Sequence, residues 1–553
     1  MNYFKQALSH LSPRDIAVRL FLTCWLIYTV HFATNVVREV YPAISLGENM
    51  SFDVSEYVGL HPDIFKMPNR GAFINNNPGA SMLGAVPYAL ARPAVDLAVE
   101  RVQQRRAAAP EPPAVEYDTQ HANSVKFLQE AMARGLDIKL GLAAAVTQVG
   151  VMGPLSALSA VVMFFVLLRL TGGDVHRTPN QENSGGSPPA PPSPPAGSGR
   201  YLTGSKGMAL VLAGLYAFAT PVFYRTAQLN HNLLLSHFAF FAFVLLWSPW
   251  NKSSRPRPSH FFWAGLLTGW TVIFDYSGLV AVAALSLYAL ARWRSFPAGE
   301  RRLGYLLHFG VGVALAAAVL MAYQWSSFGH PLYPAQHYMP ATEFSGYGYS
   351  GIDWPDPTLL GLLAFGMRYG LFTSAPILLL ALYVPGWFAP TRLVGRRELG
   401  LILGFTLTFF LFSAANKFGY VQFNTGVRHI VPVTPFLFLL AAGVFLRLPR
   451  LAAILFGLFA TYWMWTLAMY RDVEWGRGIY EAVIQISTGG PQLPWFTTLQ
   501  NMGYIESNGP VIVILLATAL AVTGLWLLPP WPLRRWRRRP VLSTHQPTNQ
   551  PSN

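Results

Sequence analysis

The feature that most constrains this chain is a series of apolar runs separated by short basic segments. Twelve runs stand out, at 16–37, 140–169, 207–223, 232–248, 261–274, 278–291, 304–324, 373–388, 399–414, 430–446, 451–470 and 511–530. A helix needs about 20 apolar residues to cross a bilayer, and fewer where the bilayer thins. Only 12% of the 553 residues are charged, against about 25% in soluble proteins. The sequence therefore predicts an all-α polytopic membrane protein with about twelve transmembrane helices, and it excludes a soluble enzyme or a disordered scaffold.

The distribution of Lys and Arg predicts the orientation in the membrane. If the N-terminus is cytoplasmic, the segments on that side hold 24 of the 40 basic residues but only five of the 25 acidic ones. Loops rich in Lys and Arg stay on the cytoplasmic side. We therefore expect both termini in the cytoplasm and a hairpin between the basic segments 249–260 and 292–302. The net charge of +15 is then explained by membrane orientation, and no nucleic-acid partner is expected.

The polar stretches predict the domain organisation. Residues 1–170 contain the first two spans and a long outer loop at 38–139, and residues 207–530 contain the remaining spans with outer loops at 325–372 and 471–510. Between them, 171–206 is a Pro/Gly/Ser-rich cytoplasmic linker, predicted to be disordered. Residues 531–553 form a basic, then polar, cytoplasmic tail. The stretch 73–93 is predicted either to lie flat in the interface or to pack as a re-entrant element.

Carboxylates in the first outer loop are candidates for a catalytic base. The acids of its first part are Glu39, Glu48, Asp53, Glu56 and Asp63. Asp53 and Glu56 are three residues apart, so one helical turn would place both on one face beside Tyr57. A carboxylate just outside a membrane can take a proton from an acceptor hydroxyl. The alternative is that these side chains only solvate the loop.

Cations at the outer ends of later spans are candidate ligands of a phosphate group. They are Arg225, Arg368, Lys417 and Arg428, with His429 beside the last. Arginine offers a fork of donors that matches phosphate oxygens, and the alternative is snorkelling to lipid headgroups. Asp275, at the tip of the short hairpin, is either a functional acid or a helix cap assisted by Ser277.

The second outer loop is rich in aromatic residues, among them Tyr333. Such rings stack on sugars or form an interfacial belt. The single cysteine, Cys24, excludes a disulfide and a Cys-based metal site. His330 and His337 lack a metal-ligand pattern, so no metal site is predicted, and no nucleotide-binding or hydrolase motif occurs.

Several motifs follow one another in a fixed order along residues 16–470. They are the acid-bearing segment 53–57, NNNPGASMLGAVPYALARP (75–93), WAGLLTGWTVIFDYSGL (263–279), SSFGHPLYP (326–334), YGLFTSAPILLLAL (369–382) and GVRHIVPVTPFLFLL (426–440). In this order they resemble the GT-C superfamily of multi-spanning, polyprenyl-phosphate-sugar-dependent glycosyltransferases. The bacterial relatives of protein O-mannosyltransferases and of lipid A aminoarabinose transferases are the most similar members.

The resemblance implies a GT-C-like bundle and an inverting transfer of a hexose or pentose from a polyprenyl-phosphate donor to an acceptor hydroxyl. It implies Asp53 as the base with Glu56 as runner-up. Many relatives carry an adjacent Asp-Glu pair, whereas the two acids are separated here, which leaves the choice between them open. Arg428 is the leading phosphate ligand, supported by His429, Arg225, Arg368 and Lys417. His61, Tyr57, Asp275 and Tyr333 are the expected substrate contacts.

The resemblance also implies a location and partners. The chain is expected in a bacterial inner membrane, with its active face in the periplasm and no tightly bound cofactor. The polyprenyl-phosphate sugar is a substrate, and the need for a divalent metal stays open. The acceptor is a glycan, a lipid or a protein.

Two other functions stay open from the residues alone. One is a twelve-span secondary transporter, a class that usually shows internal repeats and binding residues near the bilayer midplane. The other is a lipid-binding membrane protein of the cell envelope without enzymatic activity.

Overall fold

A computed structural model describes residues 10–34, 36–108, 122–171, 206–250, 256–389, 392–420, 426–470, 478–502, 505–507 and 509–529. The described chain is predominantly helical, with one two-stranded sheet. The predicted linker at 171–206 and the tail at 531–553 fall almost entirely outside these residues.

The N-terminal part starts with a well-capped helix. Helix α1 (Pro13–Val30) begins at a capping box in which Ser12 and Asp15 each accept from the other's backbone N–H. The following elements are α2 (Val40–Asn49), β1 (Ile64–Met67), β2 (Gly71–Ile74), α3 (Gly79–Ala108), α4 (Ala122–Ala133), α5 (Asp137–Thr147) and α6 (Gly153–Thr171). The two strands pair antiparallel, with Phe65 opposite Phe73.

The central part contains the apolar helices that form the bundle core. They are α7 (Lys206–Phe218), α8 (Val222–Arg225), α9 (His231–Trp247), α10 (Pro258–Phe274), α11 (Gly278–Arg294) and α12 (Gly304–Phe328). Helices α10 and α12 pack with their backbones almost touching, because a Cβ on Gly265 would lie only 2.0 Å from the carbonyl oxygen of Phe309. Only glycine permits this approach.

The C-terminal part mixes long and short helices. They are α13 (Pro357–Phe365), α14 (Leu371–Ser374), a 3₁₀ segment (Pro376–Leu382), α15 (Val384–Phe388), α16 (Arg396–Ala415), α17 (Thr434–Phe445), α18 (Arg450–Met469), α19 (Ile479–Gly489), α20 (Pro494–Asn501) and α21 (Gly509–Leu527). The apolar run 373–388 is therefore not one span-length helix. Pro376 and Pro385 each stand at the start of a new short helix, because proline lacks the N–H that would continue the previous one.

Six helical segments of the described chain are long and apolar enough to cross a membrane. They are Gly79–Ala108, Asp137–Thr171, Gly304–Phe328, Arg396–Ala415, Arg450–Met469 and Gly509–Leu527. Shorter apolar helices cover Lys206–Phe218, His231–Trp247 and Val431–Phe445. These helices indicate a membrane-embedded, helical protein, as the sequence predicts, whereas the count of twelve spans is not confirmed. Most of the stretch 73–93, expected to lie flat or re-enter, belongs to a single 30-residue helix, Gly79–Ala108, that contains Pro87 and Pro93.

The bundle has two chemically different ends. Helix α9 has 17 residues and so rises about 25 Å. At its start, His231 lies beside Asp275, which separates α10 from α11. At its end, the Arg292 guanidinium donates to the carbonyls of Leu246 and Trp247, at 3.2 and 3.3 Å. We call the His231 side the polar end and the Trp247 side the basic end.

Candidate functional site at the polar end

The link between α7 and α9 is polar yet completely buried. Every residue from 219 to 237 is buried, although 226–232 reads TAQLNHN. Asn230 explains how this backbone is tolerated, because its side chain accepts from the N–H of Leu233 and donates to the carbonyls of Arg225 and Gln228. It caps α9 and closes the turn that carries Arg225. The link therefore presents Arg225 and His231 as fixed groups inside the protein.

Glu39, His231 and Asp275 form a chain of three neighbouring polar side chains. Glu39 is only 3% exposed and accepts a short hydrogen bond from Nδ1 of His231, while Nε2 of His231 lies 3.7 Å from a carboxylate oxygen of Asp275. Burial by itself raises the pKa of Glu39, but the charges of His231 and then Arg38 outweigh it and bring the pKa to about 2. Glu39 is thus held as a carboxylate beneath the half-buried Asp275.

Arg38 and Asp63 form the neighbouring ion pair. The Arg38 guanidinium donates to Asp63 at 2.9 Å and to the side-chain oxygen of Asn75 at 3.1 Å, and its Nε lies 3.9 Å from Glu39. The pKa of Asp63 is lowered, since Arg38 outweighs the opposing effect of burial. The backbone N–H of Asp63 donates to Nδ1 of His61. The Asp63 side chain is 28% exposed, so this carboxylate is reachable from solvent.

Arg225 and Arg428 bring further positive charge to the same place. Arg225 is 3% exposed, and its Nε has no hydrogen-bond partner among the described residues. Burial, together with the charges of Arg38 and Arg225, lowers the pKa of the Arg428 guanidinium to about 10. The loop that carries Arg428 is fixed by the Tyr224 hydroxyl, which donates to the carbonyl of Val427. Three guanidiniums that repel one another favour a bound anion.

His429 adds a neutral donor or acceptor to this group. Its Nε2 is buried without a hydrogen-bond partner in the described part of the chain. Burial and the adjacent Arg428 lower its pKa to about 3, so the ring is neutral at physiological pH. We call the whole set the polar-end cluster: Arg38, Glu39, His61, Asp63, Arg225, His231, Asp275, Arg428 and His429.

The structure brings together five of the predicted site residues and positions others elsewhere. Inside the cluster are Arg225, Arg428, His429, His61 and Asp275. Asp53 makes its contacts at the hairpin instead, where one carboxylate oxygen accepts from the N–H and hydroxyl of Ser55 and from the N–H of Ala72. This carboxylate orders a turn, a common use of aspartate.

Glu56 and Tyr57 also lie outside the cluster. The Glu56 side chain is 50% exposed and lies 3.5 Å from the Lys139 ammonium. Tyr57 is buried, with its ring against that of Tyr41 at 5.2 Å. The structure thus does not bring either acid of the 53–56 pair to Arg428, and their catalytic role stays a prediction.

Lys417 and Arg368 are committed to other contacts. Lys417 forms an ion pair with Asp356 at 3.1 Å, and the hydroxyl of Tyr420 donates to the same oxygen. The Arg368 guanidinium lies over the ring of Tyr369, and its backbone carbonyl accepts from Gly426. Arg368 therefore helps to hold the loop that leads to Arg428.

Tyr333 lies in the second outer loop in a stack of rings. It is 46% exposed, and its ring lies between those of His330 and His337, with centroid distances of 3.9 and 4.6 Å. The segment after it is docked on the hairpin, since Gln336 donates to the carbonyl of Asn75. Because Asn75 also accepts from Arg38, the aromatic loop is connected to the polar-end cluster.

Four members of the cluster were not selected from the sequence, namely Arg38, Glu39, Asp63 and His231. Glu39 and Asp63 are among the acids of the first loop, but helical spacing favoured Asp53 and Glu56 over them. A usable signal existed for His231, because the polar run 226–232 between two apolar helices is unusual. In the described residues, no group of three or more His, Cys, Asp or Glu side chains has the arrangement of a metal site.

Together, the fold and the site define a helical membrane protein with a buried ionic cluster at one end of its bundle. Comparison of the chain with protein-family models, with curated proteins and with solved structures gives no match.

Proposed function

We propose that this chain is a GT-C-type membrane glycosyltransferase that moves a sugar from a polyprenyl-phosphate donor to an acceptor hydroxyl. The observation that carries the proposal is the convergence of Arg225 and Arg428 with Arg38 beside the carboxylates of Glu39 and Asp63. Transfer from a lipid phosphate needs both a cationic site for the leaving group and a carboxylate that can accept a proton as the general base. The twelve-span bundle, the bacterial inner membrane and the periplasmic active face belong to the same proposal.

Asp63 is the best-suited base within the cluster. Glu39 is sealed at 3% exposure, whereas Asp63 is partly exposed and lies in the first outer loop. In the reaction, Asp63 takes the proton of the acceptor hydroxyl, whose oxygen bonds to the anomeric carbon of the sugar. The bond from that carbon to the phosphate oxygen breaks, and its electrons leave with the polyprenyl phosphate. Arg225 and Arg428 stabilise this anion, and the configuration inverts.

The position of the ionic groups favours this function over the transporter alternative. The charged residues of the cluster lie at the start of α9, between α10 and α11, and in the loops before α2, β1 and α17. A transporter is expected to carry its binding residues near the midplane of the bilayer. Charged groups at one end are better suited to chemistry at a membrane surface.

The test separates donor binding from transfer. The purified full chain is incubated in lipid nanodiscs with radiolabelled polyprenyl-phosphate hexoses and pentoses and with membrane extract, and binding of unglycosylated polyprenyl phosphate is measured by native mass spectrometry. We expect D63N to retain binding but to lose transfer by about 10²–10⁴-fold. R428Q should weaken binding by roughly tenfold or more, since a charge-assisted hydrogen bond contributes about 1.5–3 kcal/mol.

Two control variants make the result decisive. R70Q changes an exposed arginine of the β1–β2 turn and should leave both the binding of polyprenyl phosphate and the transfer of sugar unchanged. D53N tests the base favoured by the sequence: loss of transfer in D53N with normal transfer in D63N would move the role to Asp53. Failure of the wild-type chain both to bind polyprenyl phosphate and to label any acceptor would contradict the proposed function.

A further inference from the structure

A cavity at the basic end has the composition of a lipid site. It has a volume of about 380 Å³ and is lined by Leu287, Leu290, Ala291, Arg294, Ser295 and Arg397. Leu287, Leu290, Ala291 and Arg294 lie in the C-terminal part of α11. Ser295 follows it directly, and Arg397 lies in the first turn of α16. Its volume is within the range of small-molecule sites. The lining thus combines an apolar wall on one helix with two guanidiniums contributed by two different helices.

The two helices are joined firmly beneath this cavity. The hydroxyl of Tyr288 donates to Glu398 at 2.8 Å, and both side chains are buried. Glu398 is therefore engaged on the inner side of the helix pair. Arg292 is engaged as well, since it donates to the end of α9. The two arginines of the cavity are consequently held close together by rigid elements.

Arg294 and Arg397 remain available to a ligand. Both are exposed, and neither guanidinium forms an ion pair with a carboxylate among the described residues. Leu287, one of the apolar lining residues, is 68% exposed. A ligand that covers this surface must offer hydrocarbon to Leu287 and negative charge to the two arginines.

A second cavity at the same end shows the contrast. It is lined by Val162, Phe165, Leu168, Arg169 and Trp250, so its wall is also apolar. It contains a single arginine, and the Nε of Arg169 already donates to the carbonyl of Pro249. An apolar lining is thus common to both cavities at this end, whereas a pair of available arginines occurs only in the first of the two.

We propose that the cavity between α11 and α16 is a binding site for one anionic phospholipid of the surrounding leaflet. The phosphate is held by Arg294 and Arg397 with the arginine fork that suits its oxygens. The upper part of an acyl chain packs on Leu287, Leu290 and Ala291. A basic pocket between helices at a membrane surface is a recognised arrangement for lipid headgroups. The site is independent of the proposed glycosyl transfer at the opposite end.

The test compares lipids on the full-length protein. The purified chain in detergent is titrated with phosphatidylglycerol or with phosphatidylcholine, and bound lipid is counted by native mass spectrometry. We expect phosphatidylglycerol to bind at least tenfold more tightly than phosphatidylcholine. The double variant R294Q/R397Q should weaken the binding of phosphatidylglycerol by about 30-fold. R396Q is the matched control, because Arg396 is an exposed neighbour on the same helix turn that does not line the cavity, and it should bind like the wild type.

Two further arms distinguish a lipid from free phosphate. Inorganic phosphate in millimolar excess should not displace phosphatidylglycerol. L287Q should weaken the binding of phosphatidylglycerol without affecting the binding of a headgroup analogue that lacks acyl chains. Equal binding of the two lipids, unchanged binding by R294Q/R397Q, or equal losses in R396Q and the double variant would each overturn the proposal. Displacement by inorganic phosphate alone would identify an anion site without lipid specificity and would overturn it too.

Discussion

Replacement of Glu39 by Gln tests whether the buried carboxylate holds the polar end together. The variant keeps the shape of the side chain but removes the charge that faces His231 and Arg38. Burial opposes the charged form, yet the pKa of Glu39 in the folded protein is about 2, against its ordinary value of 4.5. A difference of this size corresponds to roughly 3 kcal/mol of stability at neutral pH. We therefore expect E39Q to lower the free energy of unfolding by about that amount.

The pH dependence follows from the sign of the same shift. Because the folded pKa of Glu39 lies below the unfolded value, its contribution is complete above about pH 4.5 and is lost as the pH falls toward 2. The difference in stability between wild type and E39Q should thus be constant from pH 7 to about 5 and should shrink below that. Unfolding in mixed dodecyl maltoside and SDS micelles, followed by tryptophan fluorescence, measures this difference.

Glu56 provides the matched control. It also faces a cation, but its side chain is 50% exposed and the ion pair is 3.5 Å long. Exposed ion pairs contribute about 0–1 kcal/mol, so E56Q should change the unfolding free energy by no more than that. If E39Q and E56Q cost the same, or if the difference between wild type and E39Q does not depend on pH, the polar-end cluster does not depend on the Glu39 carboxylate.

Two further substitutions test the packing. G79A should destabilise the protein by about 1–3 kcal/mol, because a Cβ on Gly79 would lie 2.8 Å from the backbone oxygen of Ile273. G141A, with nothing within 4 Å of its added Cβ, should not destabilise the protein in the same unfolding assay and should stabilise its helix by up to about 1 kcal/mol. Equal effects of the two substitutions would contradict the contact at Gly79. Y288F should cost about 1–3 kcal/mol because it leaves the buried Glu398 without the hydroxyl that donates to it; an unchanged midpoint of thermal unfolding would show that this bond does not stabilise the basic end.

The hairpin at 261–291 shows what local pattern can predict. Basic segments on both sides of two short apolar runs predict two helices joined by a tight connection at Asp275. The structure has Pro258–Phe274 and Gly278–Arg294 with Asp275 between them, and the Asp275 carboxylate accepts from the N–H of Ser277. Asp275 therefore orders the connection between the two helices, whereas Ser277, expected to assist in capping the second helix, makes no side-chain capping bond. Apolar length and flanking charge are sufficient here, because each helix is defined by its own residues.

The acids of the first loop show where local pattern fails. Helical spacing favoured Asp53 and Glu56, but only Ser55–Tyr57 forms a helical turn, and it is a single 3₁₀ turn. Asp53 is engaged by the backbone of its own turn and of β2. Glu39, by contrast, is buried and paired with His231, which is 192 residues away. No spacing rule connects these two positions.

The sequence alone is sufficient to determine that this chain is a helical membrane protein, through its apolar runs, its scarcity of charge and its basic segments. The reason is that the length and hydration of each apolar segment depend on that segment's own residues. The tertiary structure alone decides which of the many loop charges meet. Arg225 and Arg428 are 203 residues apart in the chain, as are Tyr224 and Val427, whose hydrogen bond joins the two segments. Ionic interactions act over a few ångströms, so they are set by packing in three dimensions and not by position in the sequence.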